Sequence, residues 1–392
     1  MRPLEGIKVV TFEHAIAAPF CTRQLADLGA RVIKVERPGT GDFARNYDER
    51  VSGLASHFVW TNRSKESITL DVKQPQAIDV VHRLLADADV FVQNLAPGAT
   101  QRLGLDYDAL SKQYPRLIVC DISGYGLNGP FRDKKAYDLL IQSESGFLSI
   151  TGSENQPAKA GCSVADIAAG MYGYTNILAA LLERGRTARG KHIDVSMLES
   201  MVEWMSYPLY YAIDGQSAPK QAGASHATIF PYGPFKAGDG KTVMLGLQNE
   251  REWKSFCETV IQQPQLQTDE RFSTNSRRAT NRDELSERIL AAFSSLSAAQ
   301  VIERLDAAGI ANARMNDMQA VWDHEQLAAR GRWTKVQTPA GEIPALYPPG
   351  VAPSEEPPMG GVPALGQHSE SILHELGFDD AQIHAMRKLG AI

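Results

Sequence analysis

IKVVTF at Ile7–Phe12, APFCTRQLADL at Ala18–Leu28 and VIKVE at Val32–Glu36 decide the fold class. The first and third are short runs rich in β-branched residues and read as buried strands. The middle one has helical spacing and stops at Gly29, a residue that suits a helix end. The same alternation continues downstream. Ser67–Asp71, Val90–Gln93, Leu117–Ile122 and His192–Val195 read as strands. Gln76–Ala88, Asp108–Gln113, Ala165–Arg184 and Met197–Ala212 read as helices. Apolar strands alternating with amphipathic helices predict an α/β fold with a parallel sheet covered by helices. Such sheets bind ligands in the loops at the carboxyl ends of their strands. Here those loops are His14–Ala17, Arg37–Asp42, Asn94–Gly98 and Ser123–Pro130.

The texture changes further along. Residues 1–213 form the main part of a large domain, and the polar, Gly- and Pro-containing 214–224 reads as a linker. Short strands (Gly233–Lys236, Thr242–Leu247) and charged helices (Arg282–Ser295, Ala298–Ala308) make 225–329 a smaller α+β domain. Residues 330–392 return to the large domain. Val336–Pro363 is proline-rich and suits an extended segment, and Ser369–Leu376 and Ala381–Leu389 read as helices.

Composition narrows the function. The 392 residues carry 46 acidic and 40 basic side chains, a formal net charge of −6. No global basic field exists to gather nucleic acid. Cys21, Cys120, Cys162 and Cys257 are scattered without a C-x-x-C pair, which points to a reduced cytoplasmic protein without disulfides or a zinc site. No set of His, Cys and carboxylates has metal-ligand spacing. The start lacks a signal-peptide pattern. The apolar stretch Ala168–Leu182 is interrupted by Tyr172, Tyr174 and Asn176, so it reads as a buried helix and not a membrane span.

The strongest local signal is Gly161-Cys-Ser-Val-Ala-Asp166, opening a long helix. Ser163 and Asp166 have the spacing of a helix N-terminal capping pair, and a plain cap is the commoner use of that pattern. The alternative is chemical. A carboxylate among Ala165, Ala168, Ala169 and Gly170 has room beside it, and a desolvated carboxylate attacks a thioester when held in place. Backbone N–H groups at the helix start would then steady the oxyanion. The glycine clusters Arg37–Asp42 and Ser123–Pro130 follow strands but match no phosphate-loop or dinucleotide fingerprint. Arg37, Arg102, Lys134 and Lys135 concentrate in or near the strand-end loops, as a phosphate-bearing ligand would require. His14 directly follows the first strand, and His226 and Thr228 lie near the start of the second domain.

Together these residues resemble the formyl-CoA transferase family, also called the carnitine dehydratase/bile-acid-inducible or class III CoA-transferases. The resemblance runs through LEGIKVVTFEHAIAAPFCTRQLADLGARVIKVERPGTGD, NRSKESITLD, ADVFVQNLAPGATQRLGL, ISGYGLNGPF, SVADIAAGMYG, TARGKHIDVSMLES and LGQHSESILHELGF. It implies a Rossmann-like large domain, a smaller domain, and a homodimer of two interlocked rings. It implies acyl-CoA and a small carboxylic acid as substrates, with no permanently bound cofactor. Asp166 matches the family's catalytic aspartate. His14 and Ala17 match residues at the thioester end of CoA, and Arg37 and Leu70 match contacts to its adenosine portion. Asn94, Leu95 and Arg102 match further CoA contacts. Lys135 matches a phosphate-side lysine, and Tyr137 and Met197 match residues near the catalytic carboxylate. Ile16, Arg45, Tyr47, His226 and Thr228 make the candidate substrate pocket.

Two departures bear on the substrate. Ile16 stands where formyl/oxalate enzymes carry glutamine, and Gly223–Tyr232 replaces their glycine-rich loop. HATIFPYGPF and GLQNEREW instead look like members handling C4–C5 dicarboxylates. Lys135-Ala-Tyr137-Asp138 lacks the histidine of the racemase branch, which disfavours a two-base proton shuttle. A dicarboxylate leaves a free distal carboxylate that needs a cationic partner. Arg45 and His226 are the candidates.

Overall fold

Six strands pair in parallel: β1 (Lys8–Phe12), β2 (Arg31–Glu36), β3 (Lys65–Thr69), β4 (Val90–Gln93), β5 (Ile118–Ser123) and β6 (His192–Ser196). Their order across the sheet is β3-β2-β1-β4-β5-β6. The chain therefore reverses direction of growth between β1 and β4, the place where doubly wound sheets open a crevice for a ligand. The computed structural model describes residues 2–351 and 359–392. Among the described residues, no helix is long and apolar enough to cross a membrane.

Strand periodicity sorts the side chains to two faces. Val10, Phe12, Ile33, Val35 and Ile68 join one apolar core, with Val80 and Leu84 of helix α3 (Pro75–Ala86). Ile372, Leu373, Ile383 and Met386 of the last two helices complete it. On the opposite face Thr11, Lys34 and Lys65, with Glu13 just beyond β1, form a buried polar network. Helices α1 (Ala17–Asp27) and α6 (Val164–Thr187) pack together here.

Helix α6 buries Ala165, Ala169, Gly173, Ile177, Ala180 and Arg184, a repeat that traces one stripe. Leu182 is 74% exposed, so the helix is one-faced and not buried all round as the apolar run suggests. Gly170 sets its distance from α1: a Cβ there would lie 2.7 Å from the Ala17 carbonyl oxygen. Gly170→Ala is expected to cost about 1–3 kcal/mol through overpacking, read as a lower thermal midpoint.

The sequence reading misses several elements. Ser56–Asn62 is a short helix, α2, although SHFVWTN is rich in poor helix formers. Asp138–Glu144 is another, α5. Trp333–Thr338 and Gly341–Leu346 form an antiparallel hairpin where an extended segment is expected. Its Val336, Ile343 and Ala345 pack on Phe58 of α2. The rest of the expected segment Val336–Pro363 includes 352–358, which lie outside the described residues. Residues near the end of the chain line the free edge of β3. The N–H groups of His368 and Asp71 bond the carbonyls of Ser67 and Ala391 respectively, and Thr69 N–H donates to Ser369 Oγ at 3.0 Å.

Contacts group the chain into two compact units: Met1–Gly146, Ala160–Ser206 and Glu325–Ile392 in one, and Phe147–Lys159 with Tyr207–His324 in the other. The second has its own core, including Phe235, Val243, Leu245, Trp253, Ile289, Phe293 and Val301, around a three-stranded sheet.

Candidate active site

The loops at the strand carboxyl ends are built by side chains that bond backbone. After β1, Ala15 takes a left-handed φ of 59°, an uncommon conformation for a residue with a Cβ. Asp42 holds that turn: its Oδ1 accepts from Ala15 N at 3.0 Å and Ala44 N at 2.9 Å. Its Oδ2 accepts from Lys34 Nζ at 2.7 Å. Burial alone would raise the Asp42 carboxyl, but Lys34, then His14, outweigh it and hold it well below the usual carboxylate range. His14 Nδ1 lies 3.8 Å from Asp42 Oδ1, and the ring stacks on Phe43. Asn94, after β4, clamps the His14 peptide from the other side of the crevice. It accepts from His14 N and donates to His14 O, both at 2.9 Å. The Asn94 side chain is thus fixed by the backbone of the neighbouring loop.

Leu95 is steadied in turn. Its N–H donates to Gln93 Oε1 at 2.7 Å, and Gln93 Nε2 donates to Asp121 Oδ1 at 2.6 Å. The other oxygen of Asp121 meets His192 Nε2 at 2.6 Å, which raises the His192 imidazole above its usual value.

Asp166 stands in the first turn of α6. The capping-pair reading is corrected here. Ser163 makes no side-chain cap bond, and Asp138 from α5 caps the helix instead. Its Oδ1 accepts from Ala165 N at 2.8 Å and Asp166 N at 3.3 Å. Those two N–H groups are consequently spent, and the oxyanion role expected of the helix start does not fall to them. Among the described residues no donor bonds the half-buried Asp166 carboxylate. Burial, then the nearby Asp138 charge, pushes it from 3.8 up to about 7. A carboxylate so placed is a stronger base and a less solvated nucleophile than a surface one.

Tyr47 feels the charge of Asp166, and Tyr137 lies near Tyr47. The Tyr47 phenol is pushed up to about 12 by burial, then by Asp42, Asp166 and Tyr137. Both rings are open, at 47% and 67% exposure. Ile16, Ala17 and Met197 are buried. Leu70 is only 1% exposed and its side chain sits in the core. Arg45 is also corrected. Its guanidinium is bidentate to Glu36 at 2.7 and 2.8 Å and lies over the Phe58 ring, so it is not available to a substrate carboxylate. Lys134 pairs with Glu144 at 2.9 Å. Arg37, Arg102 and Lys135 are exposed and have no ion pair among the described residues. His226 and Thr228 belong to the second unit. There His226 Nδ1 accepts from Thr228 N at 3.2 Å and Ile229 N at 3.1 Å, leaving Nε2 as the proton-bearing nitrogen.

The sequence reading gave no role to Asp42 or Asp138. Asp42 closes the Arg37–Asp42 turn, and a carboxylate ending a glycine turn was the available signal. The cleft of about 730 Å³ lined by Gly29, Ser64, Gln337, Gly361 and His368 holds none of these residues.

Fold and site together define a doubly wound α/β protein of the Rossmann-like class. Residues 4–369 match CoA-transferase family III; the chain belongs to that family and is a CoA-transferase. It is 35% identical over 400 residues to succinyl-CoA:glutarate CoA-transferase of Mus musculus, spanning all of this chain and 91% of the relative. It is 35% identical over 335 residues to acetyl-CoA:oxalate CoA-transferase of Acetobacter aceti, spanning 85% and 86%. Among solved structures, a CAIB/BAIF family protein from Brucella suis superposes with a TM-score of 0.83 at 33% identity, covering 96% of this chain and 99% of that one.

The raised Asp166 carboxyl gives a pH prediction. A carboxylate attacks as its anion, so with Asp166 as the attacking group kcat/KM is expected to rise with pH through about 7. Asp138→Asn keeps an acceptor for the helix N–H groups and removes the neighbouring charge. The limb should then move to lower pH in a kcat/KM profile. A limb that stays in place would assign the titration to another group.

Proposed function

We propose that the protein moves CoA from an acyl-CoA donor such as succinyl-CoA to a C4–C5 dicarboxylic acid, with Asp166 as the acyl carrier. The observation that carries this is the half-buried, unbonded Asp166 carboxylate beside strand-end loops bearing unpaired cations. In the cycle, an Asp166 oxygen attacks the thioester carbonyl, the C–S bond breaks and CoA thiolate leaves. The thiolate then attacks the Asp166 carbonyl carbon of the mixed anhydride, releasing the donor acid and forming an aspartyl-CoA thioester. The acceptor carboxylate attacks that thioester and expels the thiolate again. Thiolate attack on the acceptor's acyl carbon yields the new acyl-CoA and frees Asp166. Arg37, Arg102 and Lys135 hold the phosphates of CoA. The Mus musculus relative names succinyl-CoA and glutarate, C4 and C5 dicarboxylic acids, which supports this acceptor class; the Acetobacter aceti relative names oxalate, a C2 acid. Ile16 favours the longer acids over oxalate.

The enzyme acts in the cytoplasm as an interlocked homodimer. Exposed Trp204, Leu209, Tyr210 and Ile213 supply apolar surface for a second copy to cover. Light scattering on the purified chain should give the mass of two chains. The substrate test is a panel of acyl-CoA donors against C2 to C5 mono- and dicarboxylates, read by mass spectrometry. New CoA thioesters should form with C4–C5 dicarboxylates. Products confined to monocarboxylates would overturn the acceptor assignment.

A further inference from the structure

The free distal carboxylate of a dicarboxylate acceptor needs a cationic partner within reach of Asp166, and Arg45 is engaged with Glu36. Lys34 and Lys65 are buried in their own network. The loop and helix beside Tyr47 hold another arrangement. Asp48 Oδ1 accepts from Arg50 N and Ser56 N, both at 3.0 Å, and Oδ2 accepts from Ser56 Oγ at 2.7 Å. The same Oδ2 faces His57 Nδ1 at 3.3 Å. A carboxylate oxygen only accepts, so the proton lies on Nδ1 and Nε2 is left for a second partner. The His57 side chain is 44% exposed. Its ring meets the edge of Tyr47 at 5.4 Å and 86°, and Tyr47 is within electrostatic reach of Asp166. Asp48, His57 and Tyr47 thus adjoin one another in the first unit, which also holds Asp166.

We propose that His57, held by Asp48, is the specificity residue that binds the distal carboxylate of the acceptor. This rests on the dicarboxylate reading above. With Nδ1 already fixed on Asp48, a proton taken up at Nε2 together with the acceptor lets the ring donate a charge-assisted bond to the incoming carboxylate, with little loss of side-chain freedom. Tyr47 touches the His57 ring and feels the charge of the reacting carboxylate.

The test compares wild-type full-length enzyme with His57→Phe, His57→Gln and, as a surface-charge control, Arg50→Gln. Each is assayed with a C5 dicarboxylate and with the monocarboxylate of equal length. Both His57 variants should raise KM for the dicarboxylate about 10- to 100-fold. KM for the monocarboxylate and for acyl-CoA should stay unchanged, and Arg50→Gln should behave as wild type. Dicarboxylate selectivity that persists in both His57 variants, or that collapses in Arg50→Gln alone, overturns the assignment. A wild-type enzyme with no preference for the dicarboxylate overturns the acceptor reading itself, and this assignment with it.

Discussion

Asp166→Asn is expected to lower CoA transfer by at least about 10⁴-fold, because the variant loses the nucleophile on which both halves of the exchange depend. CoA binding should survive, since the cations proposed for the phosphates lie elsewhere. Wild-type enzyme incubated with acyl-CoA and hydroxylamine should carry a hydroxamate at residue 166, seen by peptide mass spectrometry. Asp166→Ala should carry none. An active variant, or a label at another residue, would end the acyl-carrier role. The same substitution has a stability consequence. The folded carboxyl titrates at about 7 against an ordinary 3.8, so the folded state holds its proton more tightly than the unfolded chain does. Stability is therefore lost as pH rises between those values. Asparagine removes that loss, and Asp166→Asn should melt at a higher temperature than wild type at pH 8. Function here is kept at some cost in stability.

Glu13→Gln should have the largest effect on stability, about 3–5 kcal/mol, seen as an apparent Tm lower by roughly 10 °C. Glu13 Oε1 lies 2.7 Å from Lys65 Nζ and 3.5 Å from Lys34 Nζ, and Oε2 accepts from Thr11 and Thr22 at 2.8 and 2.6 Å. Burial alone would raise the Glu13 carboxyl, but Lys65 and Lys34 outweigh it and hold it below the ordinary range. A depressed carboxyl contributes stability above its unfolded value that is lost as pH falls through the folded one. The deficit of Glu13→Gln should thus be greatest near neutrality and close in acid. A deficit of equal size at all pH values would assign the effect to packing. Because Lys34 also bonds Asp42, which holds the Ala15 turn, the variant should lose activity before it melts.

The sheet was legible because each strand is a short apolar run between helical patterns, as in IKVVTF and VIKVE. Lys34, between Ile33 and Val35, was legible as the opposite strand face, but not as a buried cation. Burial of a lysine depends on Glu13 and Asp42 arriving from two other segments, and periodicity carries no such information. The Ser163–Asp166 spacing misled for the same reason. The true cap, Asp138, lies 28 residues earlier. Arg45 was a reasonable carboxylate partner in sequence, yet Glu36, the last residue of β2, holds it first. The hairpin within the proline-rich stretch was hidden because Pro344 argues against a strand, whereas a two-stranded ribbon has edges that tolerate it. Asp166 was singled out by its place in the strongest local signal, and the family resemblance added the expectation of a catalytic role. Its small neighbours hinted at room but not at the missing hydrogen bonds.

The edge of β3 is closed by residues about 300 positions later. During synthesis the ribosome delivers that strand long before its covering segment. A row of open N–H and C=O groups then faces the cell's other nascent chains. Polysomes making this protein thus carry an open strand edge early, and chaperone demand should persist until the region around residue 391 emerges.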